Sequence, residues 1–177
     1  SKKFINRSLK NSLEISKKNH NVEIIYVNNN SKDLSSSIIK NKIKNSKNIK
    51  IFKTIKKNGM GPGIARNLGI KKANSKFLIF LDVDDYIEIK YLNQLIEYCK
   101  KFKNNFIFLG IKTSKKISPY LNYSKNNFKN FFRKSNNMLA IAKVIKKQFL
   151  IKNNLIFSKG IFEDIFFTFK CHFYNDK

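Results

Sequence analysis

Lys76-Phe-Leu-Ile-Phe-Leu-Asp-Val-Asp-Asp-Tyr86 is an apolar run that ends abruptly on three carboxylates, Asp82, Asp84 and Asp85. A short continuous apolar run, Phe77 to Leu81, reads as a strand buried on both faces of a sheet. Acids crowded at its end repel one another and need a partner or a use. In α/β sheets, ligands bind just outside the carboxyl ends of strands. In a chain of net charge +26, the cluster is a local reversal of sign. Oxygen-only ligands favour Mg2+ or Mn2+. The same residues also suit a turn and a helix N-cap, two tasks Asp performs well.

Outward from this stretch the chain alternates helical and strand-like segments. Phe4 to Lys17 carries apolar residues at Phe4, Ile5, Leu9, Leu13 and Ile15, close to a helical stripe. Val22 to Val27 is a β-branched run and reads as a strand, followed by the polar turn Asn28 to Asp33. Leu34 to Ile43 reads as a helix capped by Ser31 or Asp33, and Ile49 to Thr54 as a second strand. Ile64 to Ala73 and Tyr91 to Phe102 read as helices, and Phe106 to Leu109 as a further strand. Leu139 to Phe149 reads as a helix, Asn153 to Phe157 as a turn and short strand, and Ile161 to Phe173 as a helix. Ile111 to Asn137, rich in Lys, Asn and Ser, reads either as a mobile segment over the site or as a helix with an aromatic face. Phe128 and Phe132, four apart, favour ordinary core packing over a binding platform. This rhythm argues for an α/β fold with a mostly parallel central sheet flanked by helices.

Composition sets the outer limits. At 177 residues, residues 1–177 read as one domain with enough length for a core. A hydrophobic content of 42% excludes a disordered polyelectrolyte. Cys99 and Cys171 lie far apart without metal or redox spacing and read as free, buried and inert thiols. No apolar run approaches the length of a membrane-spanning helix. Of 37 Lys and Arg residues, only Arg7, Arg66 and Arg133 are arginine, and the lysines are spread through every segment. Readers of phosphates and bases lean on the arginine fork, so no specific nucleic-acid partner is expected. Diffuse positive charge does suit anionic lipid. Lys143, Lys146 and Lys147 read as a solvated helix face, or as groups that meet an anionic acceptor or lipid headgroups. His20 and His172 show no ligand pattern and read as surface or packing residues.

The segment Asn58-Gly-Met-Gly-Pro-Gly-Ile-Ala-Arg-Asn-Leu-Gly69 is a glycine-rich loop that opens a helix. Gly59, Gly61 and Gly63 permit conformations closed to other residues and close approach to a ligand. Before a helix, such a loop can present N–H groups to phosphate. It matches neither the P-loop nor the dinucleotide fingerprint. Arg66 reads equally as a structural residue and as a phosphate contact.

Four features in order carry a resemblance: the strand and turn Ile24 to Asp33, the loop Asn58 to Gly69, the Asp82-Val-Asp-Asp-Tyr86 stretch and the late Phe162-Glu-Asp164. Together they resemble the inverting family 2 glycosyltransferases of bacteria. That family has the GT-A (Rossmann-like) nucleotide-sugar-binding fold. The likeness runs from about Phe4 to the end, and Leu150 to Asp164 is similar to the family's region before its Glu-Asp pair.

The resemblance implies a nucleotide-diphosphate sugar donor, with a UDP-sugar favoured, and a glycan or lipid-linked acceptor. It implies bacterial surface-polysaccharide synthesis in the cytoplasm, peripheral to the inner face of the plasma membrane. Asp82, Asp84 and Asp85 would hold Mg2+ or Mn2+ against the diphosphate. Asn28, Asn29, Gly61, Gly63, Arg66, Asn67, Asp82 and Asp84 would line the donor site. Asp164 would be the general base, with Glu163 its neighbour or substitute. Acids in the first turn of a helix also complement its dipole, and the pair can serve both purposes. Asn28 and Asn29 stand where the family usually has Asp. An amide can still read a base edge but supplies no charge. Relatives open with a strand before the position of Phe4 and continue past the Asp164 helix. The expectation is a truncated domain with impaired donor binding and little transfer. Two other readings remain: a basic nucleic-acid-binding module, and a non-catalytic GT-A-like partner subunit.

Overall fold

A computed structural model describes residues 2–55, 61–101, 105–108, 140, 143–160 and 162–175. Its first part alternates helix and strand: α1 (Lys2–Lys18), β1 (Ile24–Asn28), α2 (Ser35–Ile43), β2 (Ile49–Lys53), α3 (Gly63–Lys72) and β3 (Phe77–Ile79). Then come α4 (Ile89–Lys101), β4 (Phe106–Phe108), β5 (Lys143–Lys146), α5 (Lys147–Lys152) and α6 (Glu163–Asn175). The expected segment 111–137, the first part of the glycine loop and Gly59 lie outside the described residues.

Two sheets form. In the first, β1 and β2 run parallel, with Ile24 beside Ile49 and Asn28 beside Lys53. In the second, β5 lies between β3 and β4 and runs antiparallel to both. It follows that β3 and β4 point the same way. Strand β1 is the wall between two apolar cores. Alternate side chains of a strand face opposite sides. Ile24 and Tyr26 accordingly join Ile5, Leu9, Ile39, Ile43 and Ile49. Ile25 joins the other core, built on Leu78, Phe80, Ile145, Phe149, Leu155, Phe157 and Phe167. There the rings of Phe157 and Phe167 stack 3.8 Å apart, and Phe80 meets both edge-on. Helix α1 seats polar groups as well, because Ser8 and Ser12 meet the Tyr26 hydroxyl at 2.9 and 2.8 Å.

Several expectations need correction here. Leu139 to Phe149 is not one helix: β5 occupies Lys143–Lys146, and α5 begins only at Lys147. The β-branched Val144 and Ile145 pair on both sides, with Leu78 and Ile107 among their partners, and this non-local pairing overrides the local pattern. Lys143 is therefore on no solvated helix face; it is 0% exposed. Asn153 to Phe157 supplies the turn, with Asn154 at φ 50° and the Leu155 N–H bonded to Leu150 O, but no strand. Strand β3 is also shorter than read, and Leu81 at its end is exposed rather than buried. Cys171 is fully buried as expected, whereas Cys99 is half-buried.

Candidate active site

Arg66 lies one turn into α3, a helix opened by the glycine loop. Its guanidinium reaches three acids from two distant segments: Asp82 at 3.2 Å, Glu163 at 3.3 Å, and Asp164 by a short, direct ion pair. The ring of Phe157 lies beneath it, 5.4 Å from the guanidinium carbon. The Arg66 side chain is only 9% exposed, so it is a buried cation surrounded by carboxylates. Arginine suits the place because its planar fork can serve several oxygens at once.

The glycines explain how the segments approach so closely. A Cβ on Gly63 would lie 2.9 Å from both Glu163 Cγ and Phe157 Cβ. A Cβ on Gly61, whose φ is +90°, would lie 2.9 Å from the Gly160 carbonyl oxygen. Their freedom thus brings α3 against the start of α6. Asn67, next to Arg66, donates to Phe157 O at 2.9 Å and accepts from Phe157 N–H at 2.9 Å. Its carboxamide is committed to holding the segment that carries Glu163 and Asp164.

The turn after β1 is tied to the same loop. Asn28 donates to Ser36 Oγ and accepts from Ser31 N–H at 2.7 Å. Asn29 donates to Gly61 O at 3.0 Å and accepts from the Thr54 hydroxyl at 3.1 Å. Both amides shape the turn, and Asn29 links it to the loop ahead of Arg66.

The acidic turn is held from α1. Arg7 donates to the Asp84 carbonyl oxygen and lies 5.6 Å from the centre of the Tyr86 ring. Asn11 donates to Ile87 O at 2.9 Å and accepts from Ile87 N–H at 3.1 Å. Asp85 N–H closes the turn on Asp82 O at 3.0 Å. Burial raises the Asp85 carboxyl above the usual range, the charges of Asp84 and Asp82 raise it further, and Arg7 opposes them. Burial likewise raises Asp164; Arg66 pulls it down, while Glu163 and Asp82 push it up. A raised carboxyl is a stronger proton acceptor near neutral pH.

Among the described residues, no three His, Cys, Asp or Glu side chains converge as a ready metal cage. Mg2+ commonly takes only one or two carboxylates and completes its shell with phosphate and water oxygens. The hard carboxylates of Asp82 and Asp84, whose charges press on Asp85, fit a cation held in that way.

Sequence reasoning missed Phe157 beneath Arg66 and put Lys143 on the surface, where the structure buries it. Burial lowers the Lys143 ammonium to about 7, partly offset by Cys171 and Asp164. Its signal was a lysine inside the apolar run Ala140-Ile-Ala-Lys-Val-Ile145. Behind it, burial pushes the Cys171 thiol up to about 12, and burial together with Lys143 pushes His172 down to about 4. Phe162 precedes the acid pair with φ 64°, a left-handed conformation uncommon for a bulky side chain.

The fold is that of the GT-A glycosyltransferases. The crystal structure of Staphylococcus aureus TarS 1–349 in complex with UDP-GlcNAc matches with a TM-score of 0.70 at 23% identity, covering 88% of this chain and 47% of that one. In sequence, the poly(ribitol-phosphate) beta-N-acetylglucosaminyltransferase TarP of Staphylococcus aureus is 28% identical over 93% of this chain and 52% of its own length. The cholesterol galactosyltransferase of Borreliella burgdorferi is 28% identical over 82% of this chain and 46% of its own length. The chain therefore spans about half the length of these curated relatives. The model of the glycosyl transferase family 2 domain matches residues 1–166, and with nearly the whole chain inside that match, the protein belongs to glycosyl transferase family 2.

Proposed function

We propose that this chain transfers a sugar, with inversion, from a nucleotide-diphosphate donor to a hydroxyl of a glycan or lipid-linked acceptor in bacterial surface-polysaccharide assembly. The observation that carries the reading is the convergence of Asp82, Glu163 and Asp164 on Arg66. It joins the acidic turn and the candidate base in one site. A UDP-sugar is the favoured donor, in keeping with the UDP-GlcNAc bound by the structurally similar TarS.

Asp164 receives the proton of the acceptor hydroxyl, and its raised proton affinity suits the task. The hydroxyl oxygen then bonds to the anomeric carbon from the face opposite the diphosphate. The bond from that carbon to the diphosphate oxygen breaks, and its electron pair leaves with the nucleoside diphosphate. Arg66 keeps the Asp164 carboxylate oriented, and Glu163, buried beside it, shares the same cation. Asp82 and Asp84 would hold Mg2+ or Mn2+, which when bound supplies positive charge against the leaving diphosphate. On this reading the transfer takes place in the cytoplasm, peripheral to the inner face of the plasma membrane. Among the described residues, no helix is long and apolar enough to cross a membrane.

Isothermal titration of UDP and GDP with and without Mn2+ tests the donor site. UDP is expected to bind only with Mn2+, to lose at least about tenfold in affinity in Asp84→Ala, and to bind normally to Asp164→Asn. Sugar transfer should vanish in Asp164→Asn. Failure of a folded chain to bind either nucleotide would overturn the donor reading. Equal binding without metal, unchanged by Asp84→Ala, would remove the cation from it.

A further inference from the structure

Lys143 opens β5, the strand between β3 and β4, and is wholly withdrawn from water. Burying an ammonium is costly unless charge and hydrogen bonds offset the lost hydration. Helix α6 supplies its surroundings. Thr168, Cys171 and His172 follow Asp164 by four, seven and eight residues, so all four share one side of the helix. Thr168 and Cys171 are fully buried and His172 almost so. Ala140, Ile145 and Cys171 belong to one core, which sets the β5 segment against this side of α6.

Three titratable groups of α6 act with the ammonium: Asp164, Cys171 and His172. Burial pushes the Cys171 thiol up to about 12, and burial with Lys143 pushes His172 down to about 4. Both are therefore uncharged near neutral pH. Asp164 is the anion that acts on Lys143 there. Its own need for a second cation is plain, because Arg66 divides one positive charge among Asp82, Glu163 and Asp164. The segment ahead of Lys143 serves the same carboxylate, since the Ala140 main chain gives it a hydrogen bond.

We propose that Lys143 is a positioning residue for the base: its ammonium, buried between β5 and α6, keeps the Asp164 carboxylate ionised and oriented while Arg66 holds it from α3. The inference deepens the proposed transfer reaction and rests on Asp164 being its base. Before the attack, the positive charge keeps the carboxylate free of a proton from solvent. Once Asp164 has taken the acceptor's proton, the ammonium has lost its anion, which favours departure of that proton to water and resets the base.

The pH profile of transfer tests this. Lys143→Met keeps the volume and removes the charge, and an apolar replacement of a buried ion should leave the melting temperature equal or higher. Binding of UDP with Mn2+ should be unchanged. The acid limb of the kcat profile, which reports the base in the enzyme–substrate complex, should move up by about one pH unit, with the donor KM little altered. A limb that stays in place, with or without a uniform loss of kcat, would leave Lys143 a packing residue and overturn the proposal. A second measurement needs no transfer. In NMR of the full chain with 13C-labelled lysine, one resonance should titrate at about 7, apart from lysines that titrate near the ordinary value of about 10.4. In Asp164→Asn its midpoint should fall by about one pH unit, because the ammonium loses its anion. An unmoved midpoint would overturn the pairing whatever the activity. A chain that shows this shift, binds no nucleotide and transfers no sugar would overturn the transfer reading, and the base's role with it, while leaving the pair in place, so the two failures are told apart.

Discussion

Asn11 and Asn67 make the same pair of bonds on two loops of opposite character. Each carboxamide reads the N–H and C=O of one residue, Ile87 for Asn11 and Phe157 for Asn67, as a neighbouring strand would. The first holds the turn of Asp82 and Asp84, both exposed, and Arg7 beside it takes the Asp84 main-chain carbonyl rather than a carboxylate. The second holds the segment leading to Glu163 and Asp164, whose carboxylates are gripped by the buried Arg66. The acidic turn is thus held mainly by its backbone, with Arg66 reaching the exposed Asp82 at 3.2 Å, Asp85 half-buried and Asp84 open to solvent. The segment that carries the proposed proton acceptor is held through its charges, in a setting that tunes them.

The largest test of that contrast removes the two arginines. Arg66→Met strands Glu163 and Asp164 without their cation, and losing one partner of a buried pair costs about 3–5 kcal/mol. Arg7 is exposed, and Arg7→Met should cost under about 1 kcal/mol. Urea unfolding measures both. Adding Glu163→Gln and Asp164→Asn to Arg66→Met should recover part of the loss. If the two arginine variants are equally stable, the base loop is not held through its charges.

The asparagines give the next effect. Phe157 is buried, so Asn67→Ala leaves a main-chain donor and acceptor out of reach of water and should cost about 2 kcal/mol. Ile87 is only half-buried, and water can replace much of what Asn11→Ala removes, leaving a cost of about 1 kcal/mol or less. Chemical denaturation ranks the pair. A larger loss for Asn11→Ala would reverse the account of which loop is rigid.

What was legible in the sequence follows the same division. The helices and the first two strands declared themselves through local periodicity. Asp82 and the Glu163-Asp164 pair stood out as acids in a basic chain. What failed depended on distant partners. Strand β5 looked helical because its strand character comes from lying between β3 and β4. The freedom of Gly61 and Gly63 was readable, but not that Gly160, Phe157 and Glu163 would fill the space. Asn67 read as a donor-site amide, since nothing local says that a carboxamide will clasp a main chain 90 residues away. Arg66 was left between structure and phosphate for the same reason: its three acids are far off in sequence. Lys143 was placed in solvent because lysine is rarely buried fully.

That lysine supplies the smallest test, and one that isolates the base side. His172 is held down to about 4 by burial and by Lys143, from an ordinary 6.5. Lys143 is held down to about 7 from 10.5, with Cys171 and Asp164 opposing. In each case the unfolded chain binds the proton more readily than the folded one. Stability therefore falls as pH drops from 6.5 toward 4 on account of His172, and from 10.5 toward 7 on account of Lys143. Asp85 and Asp164 work in the other direction, because a raised carboxyl gains stability as it takes up its proton. From pH 7 to 6, His172 and Lys143 together should cost the wild-type chain on the order of 1 kcal/mol. His172→Asn should remove more than half of this slope in urea titrations at the two pH values, while Asp85→Asn, which removes an opposing group, should not reduce it. A slope that survives His172→Asn and disappears in Asp85→Asn would move the titrating charge to the exposed loop, and the contrast between the two clasps would then rest on geometry alone.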